Sequence, residues 1–210
     1  MNNKVLSKSF LWMAIGLLIT FATGYFVYSN ERILYSIFSG GLHWIFIIAE
    51  FILVMYLSVR VFKMKESTAK IMFMLYAFVS GLTFSSIFVV YEIASIFYVF
   101  LIAAAVYALF GFIGYTTKLD LTKFGTYLIM ALFGIIIASI VNMFLGNDAL
   151  TLIITVIGLL IFLGITAYDV QKISKMPNLP NAGIYGALDL YLDFINIFLK
   201  LLSLFGKSRD

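Results

Sequence analysis

Long apolar runs alternate with short polar clusters along the whole chain. The runs cover about residues 10–28, 42–59, 71–91, 95–115, 124–145, 150–170 and 184–205. Each approaches or exceeds the roughly 20 apolar residues that an α-helix needs to cross a membrane. Within the runs the apolar residues are continuous rather than alternating, which favours helices over a transmembrane β-barrel. The punctuation agrees with this division. Asn30-Glu31-Arg32 follows the first run, Gly40-Gly41 separates the short apolar stretch 33–38 from the second, and Pro177 and Pro180 mark the loop before the last. No internal repeat or low-complexity stretch stands out. The pattern predicts an all-α polytopic membrane protein, a single seven-helix transmembrane domain over residues 1–210 with no room for a soluble domain.

Composition sharpens that picture. The chain is 63% hydrophobic and 11% charged with a mean hydropathy of +1.09, against about a quarter charged residues in soluble domains. Its first apolar run is too long for the hydrophobic region of a signal peptide and lacks a clear cleavage site, so it is expected to be retained as a span. The absence of cysteine excludes disulfides and thiolate metal sites. A net charge of +4 could signal nucleic-acid binding, but the basic residues are spread over short loops and form no basic face.

Their distribution instead predicts topology. Lys4, Lys8, Arg60, Lys63, Lys65, Lys70, Lys118, Lys123, Lys172 and Lys175 fall on one side of a seven-span chain. Arg32, Lys207 and Arg209 fall on the other, and Lys200 lies within the last span. Positive charge gathers on the cytoplasmic side, so the N-terminus is expected in the cytoplasm and the C-terminus outside. A compact chain of this kind suits a bacterial inner membrane.

The carboxylates point to the chemistry. Most sit at segment ends, but Asp169 closes the sixth run, while Asp189, Asp193, Asn196 and Lys200 share one face of the seventh. Ionisable residues inside a membrane are costly and usually face the bundle interior or water, where they mark function. At 1.5 Å per residue, Asp169 lies about 9 Å from the cytoplasmic face and Asp193 about 13 Å. The two can therefore meet across the hairpin. Asp189 either lines the same cavity or complements the dipole of the last helix's first turn. Lys200 either neutralises this face or snorkels outward. Glu50 has no charged neighbour at helical spacing, so it is expected to face the bundle interior, bonding another helix or touching an ion path. His43, near a membrane boundary, reads as incidental.

Three stretches resemble the Bax inhibitor-1 (transmembrane Bax inhibitor motif) family, with its bacterial calcium-leak branch the nearest. They are Phe78-Val-Ser-Gly-Leu-Thr-Phe84, Tyr168-Asp169, and Asp189-Leu-Tyr-Leu-Asp-Phe-Ile-Asn196. The resemblance covers essentially the whole chain. It implies six helices around a central seventh, and a pH-sensitive passive calcium leak gated by a hydrogen-bonded aspartate pair, here Asp169 and Asp193. The family's acidic residue in span two corresponds to Glu50, and its basic latch to Arg60 after a one-residue slip of register. Physical reasoning supports such a pair. Two carboxylates about 4 Å apart repel by about 4 kcal/mol at an effective dielectric of 20, so one shared proton would bind them into a unit that titrates together. The competing interpretation is a structural hydrogen bond pinning two helices.

Calcium takes six to eight oxygen ligands, and the scattered carboxylates suit transit near Asp169 and Asp193 better than tight storage. The expected partners are the lipid bilayer, Ca²⁺ and protons. No cofactor, catalytic residue or nucleic acid is expected. Two other classes remain in view. Some relatives are described as regulators that bind other membrane proteins, as protease modulators or survival factors. An intramembrane aspartyl protease would also use two membrane aspartates, but Leu188 replaces the second glycine of its Gly-x-Gly-Asp motif and its Pro-Ala-Leu motif is missing.

Overall fold

A computed structural model describes residues 3–209, leaving the side chain of Asn3 aside. Eight α-helices follow one another: α1 Asn3–Tyr28, α2 Glu31–Ser39, α3 Leu42–Arg60, α4 Glu66–Val90, α5 Ile93–Thr116, α6 Thr122–Leu145, α7 Asp148–Lys175 and α8 Ala182–Phe205. A 3-10 turn, Val61–Lys63, prolongs α3. Among the described residues there is no strand, only an isolated antiparallel bridge between Tyr91 and Ser208. The chain is thus all-helical, as its apolar runs predict.

Among the described residues, six helices are long and apolar enough to cross a membrane: α1, α3 with its 3-10 turn, α4, α5, α6 and α7. The sequence pattern predicts seven. The difference is α8, a helix of 24 residues that carries Asp189, Asp193 and Lys200 and is not one of the six. The short apolar stretch before the second run forms α2. Asn30 caps it, accepting from Ile33 N–H at 3.4 Å, and Glu31 complements the dipole in its first turn. Gly41, at φ +74°, adopts a left-handed turn that a side chain would strain and separates α2 from α3.

The chain forms two compact units. The first comprises the residues up to Ile93, Met176–Tyr191 and the residues from Lys207 onward. Here α1 lies along α4, and small residues let the two backbones approach. A Cβ on Gly81 would fall 2.5 Å from that of Thr23. Phe21 meets Phe84, and Tyr28 stacks on Phe88. From α8, the Tyr191 ring packs edge-on to Phe73 and Tyr76 while its hydroxyl bonds Thr20 at 2.7 Å.

The residues that flank α8 on either side are tied within this unit. Before its first turn, Asn181 adopts φ +65°, and its Nδ2 donates to the carbonyls of Val61 and Met64, each at 2.8 Å. Beyond its last turn, Glu92 N–H donates to Lys207 O at 3.0 Å and Arg209 N–H to Val90 O at 2.9 Å. The Lys207 and Glu92 side chains form an ion pair at 2.6 Å. The Arg209 guanidinium covers the Tyr28 ring and donates to its hydroxyl.

The second unit comprises Ala94–Lys175 and Leu192–Gly206. Its helices approach closely around the C-terminal part of α7. A Cβ on Gly114 of α5 would fall 2.0 Å from the Ala167 carbonyl oxygen, and one on Gly125 of α6 would fall 2.5 Å from the Tyr168 ring. Gln171 fixes the α5–α6 connection, donating to Leu119 O at 2.8 Å and accepting from Leu121 N–H at 3.0 Å. At the other end of α6, Asn142 donates to Asn147 O and Thr151 Oγ1 and accepts from Asn147 N–H.

Candidate functional site

Both aspartates of the predicted pair lie in the second unit. Asp169 is carried by α7, which stays helical to Lys175. Its neighbours Tyr168 and Gln171 are fixed against Gly125 and the α5–α6 connection, so the carboxyl projects from a rigid turn. Asp193 belongs to the part of α8 whose next residue, Phe194, packs edge-on against Phe100 and Tyr107 of α5. Only 7% of Asp169 and 3% of Asp193 is exposed. Carboxylates so deeply buried are rare without compensation.

Part of that compensation comes from Lys172. Its ammonium lies 3.2 Å from Asp169 Oδ1 and 5.8 Å from the centre of the Tyr168 ring. In the sequence Lys172 enters only the topology count. The i, i+3 spacing from Asp169 was the available signal, since it places both residues on one helix face.

The other candidate residues have surroundings of their own. Asp189 is half-buried and belongs to the first unit. Because α8 starts at Ala182, Asp189 is beyond the first turn, which removes the dipole role, one of the two readings offered for it. Glu50 is also in the first unit. It bonds another helix, accepting from Thr83 Oγ1 at 2.9 Å and, more closely, from Ser80 Oγ, both on α4. Those hydroxyls belong to the stretch that carries the family resemblance, but helical spacing within α3 could not identify them as partners of Glu50. Arg60, at the end of α3, is exposed and makes no ion pair among the described residues. Lys200 is half-buried, and its stem crosses the bare face of Gly158 on α7, where a Cβ would lie 3.1 Å from Lys200 Cε. His43 stacks on Phe38.

Comparison with known proteins gives the arrangement its context. The family model described as "Inhibitor of apoptosis-promoting Bax1" matches residues 2–210. The inner membrane protein YbhL of Escherichia coli K12 is 42% identical over 208 residues, covering 94% of this chain and 89% of that protein. A protein of Borreliella burgdorferi is 43% identical over 218 residues, covering 100% of this chain and 94% of the relative. One of Deinococcus radiodurans is 36% identical over 212 residues, covering 98% and 90%. With its six apolar helices and agreement of this extent, the chain belongs to the Bax inhibitor-1 family of membrane proteins.

Proposed function

We propose that the protein is a pH-modulated passive cation leak of a bacterial inner membrane, with calcium its leading cation. The observation that carries this reading is the burial of two carboxylates, Asp169 and Asp193, in one compact unit of an apolar helical chain. Burial favours a carboxylate that is either paired with a cation or protonated. Lys172 supplies one positive charge, and a proton shared by the aspartates supplies the other. Loss or gain of that proton changes the charge of the site by one and so biases its gate. Two carboxylates offer calcium too few oxygens for tight binding, which suits transit.

The same reading takes α8 as a seventh crossing helix, central in the bundle, with the N-terminus cytoplasmic and the C-terminus outside. Its tethered flanks support this. The residues before α8 bond the α3–α4 connection, whereas those after it bond the far ends of α1 and α4. A helix whose flanking residues are tied at opposite ends of spanning helices supports a crossing path for it.

Flux into proteoliposomes tests the proposal, with calcium, potassium and sodium compared between about pH 5 and 8, the range in which a coupled carboxylate pair can titrate. Calcium entry that varies with pH is expected. In Asp169→Asn and in Asp193→Asn that variation should flatten, and the double variant should behave no worse than either single, since the residues act as one unit. Wild-type pH dependence in both single variants would leave the pair a structural clamp, with Glu50 the next residue to test. No flux under any condition would overturn the leak and favour a regulator of other membrane proteins.

A further inference from the structure

Among the described residues, Lys200 makes no ion pair and no hydrogen bond. It lies on α8 within the second unit and is half-buried. Charges placed within membrane helices are costly and usually mark function. Its stem crosses Gly158 of α7. A Cβ on that glycine would fall 3.1 Å from Lys200 Cε, 3.6 Å from the ammonium nitrogen and 3.8 Å from a methyl of Ile135 on α6. The ammonium is thus set where α6, α7 and α8 come together.

Position along the helices relates this ammonium to the aspartates. On α8, Asp193, Asn196 and Lys200 recur at i, i+3 and i+7 and share a face. Ile197, Phe198, Leu201 and Leu202 around Lys200 are buried, whereas Asn196 and Lys200 are half-buried, so theirs is the less enclosed face. On α7, Asp169 and Gly158 are separated by three turns and share a face as well. Thr155 and Thr151 continue it, and Thr151 Oγ1 accepts from Asn142 of α6 at 2.7 Å. The two faces touch where Lys200 crosses Gly158. By helical rise, Lys200 is about 10 Å beyond Asp193 and Gly158 about 16 Å beyond Asp169, both away from the α7–α8 connection.

We propose that Lys200 is an electrostatic barrier in the cation path, a specificity-determining residue whose role rests on the leak function proposed above. A cation moving along these faces to or from Asp169 and Asp193 must pass an ammonium that forms no ion pair among the described residues. Fixed positive charges hold cations out of membrane pores in this way. The repulsion is proportional to the charge of the passing ion. A divalent ion therefore meets twice the barrier of a monovalent one. Because rate falls exponentially with barrier height, the slowing factor for calcium is the square of that for potassium. Lys200 keeps the leak slow, and slows calcium most.

Calcium and potassium entry would be measured separately, at one pH, in proteoliposomes holding the wild-type chain, Lys200→Gln or Lys200→Arg. Lys200→Gln is expected to raise potassium entry about threefold and calcium entry about ninefold, its square. Lys200→Arg keeps the charge and should stay near wild type for both ions. Should Lys200→Gln fail to fold, Lys200→Met, which keeps an apolar stem across Gly158, takes its place in the same comparison. Equal rises for the two ions would mean loosened packing rather than a lost charge, and would overturn the proposal. Wild-type rates for both ions in Lys200→Gln would overturn it too, while leaving the leak itself standing. Entry of neither ion in any of these proteins removes the leak, and the barrier with it. A silent wild type beside a leaking Lys200→Gln supports both.

Discussion

Single residues here differ chiefly in whether water can answer their charge. Asp120, in the exposed α5–α6 connection, accepts from the Thr122 hydroxyl at 2.7 Å and from the Thr122 N–H at 3.0 Å. The hydroxyl bond is the main cause of an Asp120 carboxyl held below its ordinary value, with the backbone bond next. A depressed carboxylate favours the folded form above its unfolded value of about 3.9 and loses that contribution as pH falls through the folded value. Thr122→Ala should therefore raise the Asp120 titration midpoint, read from its side-chain carbon resonance. An unmoved midpoint would assign the effect to the backbone bond and nearby lysines. Asp169 and Asp193 have no comparable access to water, and Asp169 has the Lys172 ammonium at 3.2 Å instead. Asp120→Asn is thus the fitting control for the paired variants and should leave the flux profile unchanged.

At the scale of helices, close contact is where substitution should be costly. A Cβ at Gly114 would meet the Ala167 carbonyl, a backbone atom that cannot rotate away, whereas one at Gly134 would meet nothing within 4 Å. Gly114→Ala should destabilise the protein by about 1–3 kcal/mol, the range for overpacked interiors. Gly134→Ala should be neutral or stabilising by up to about 1 kcal/mol, as for alanine replacing glycine in a helix. Thermal unfolding in detergent compares the two, and equal midpoints would contradict the α5–α7 contact. Glu50→Ala should loosen α3 from α4 by about 1–3 kcal/mol, because the Ser80 and Thr83 hydroxyls lose their acceptor. The existence of the long helices was legible in the apolar runs, but their ends were less so. Hydropathy marks the part of a helix that suits lipid, while the helix itself continues through polar flanks. Thus α1 begins at Asn3 rather than near residue 10, and α4 begins at Glu66, where the Glu66–Lys70 pair supports the first turn. Contacts between helices were hidden for a different reason. Neither the hydroxyl partners of Glu50 nor the Asn181 bonds to Val61 and Met64 follow from periodicity, because each depends on residues distant in sequence.

For the whole molecule, the arrangement of loop charges makes a prediction that the chain is well suited to test, because it contains no cysteine. Cysteines introduced singly at Lys65, Lys118 and Lys175 should react with an impermeant thiol reagent only from the cytoplasmic side, and one at Lys207 only from the other. Labelling of position 207 from the cytoplasm would show that α8 does not cross and would remove the depth argument for Asp193. The bonds that Lys207 and Arg209 make to Glu92, Val90 and Tyr28 favour the expected outcome. Those bonds also bear on how the chain is made. The first unit draws on three separated stretches, the last of them beginning at Lys207. During synthesis, α1 and α4 therefore leave the ribosome long before the residues that fasten their far ends. Until Lys207 and Arg209 have been made, this half of the molecule must wait in the bilayer with Tyr28 and Glu92 unclasped, open to whatever assists membrane insertion.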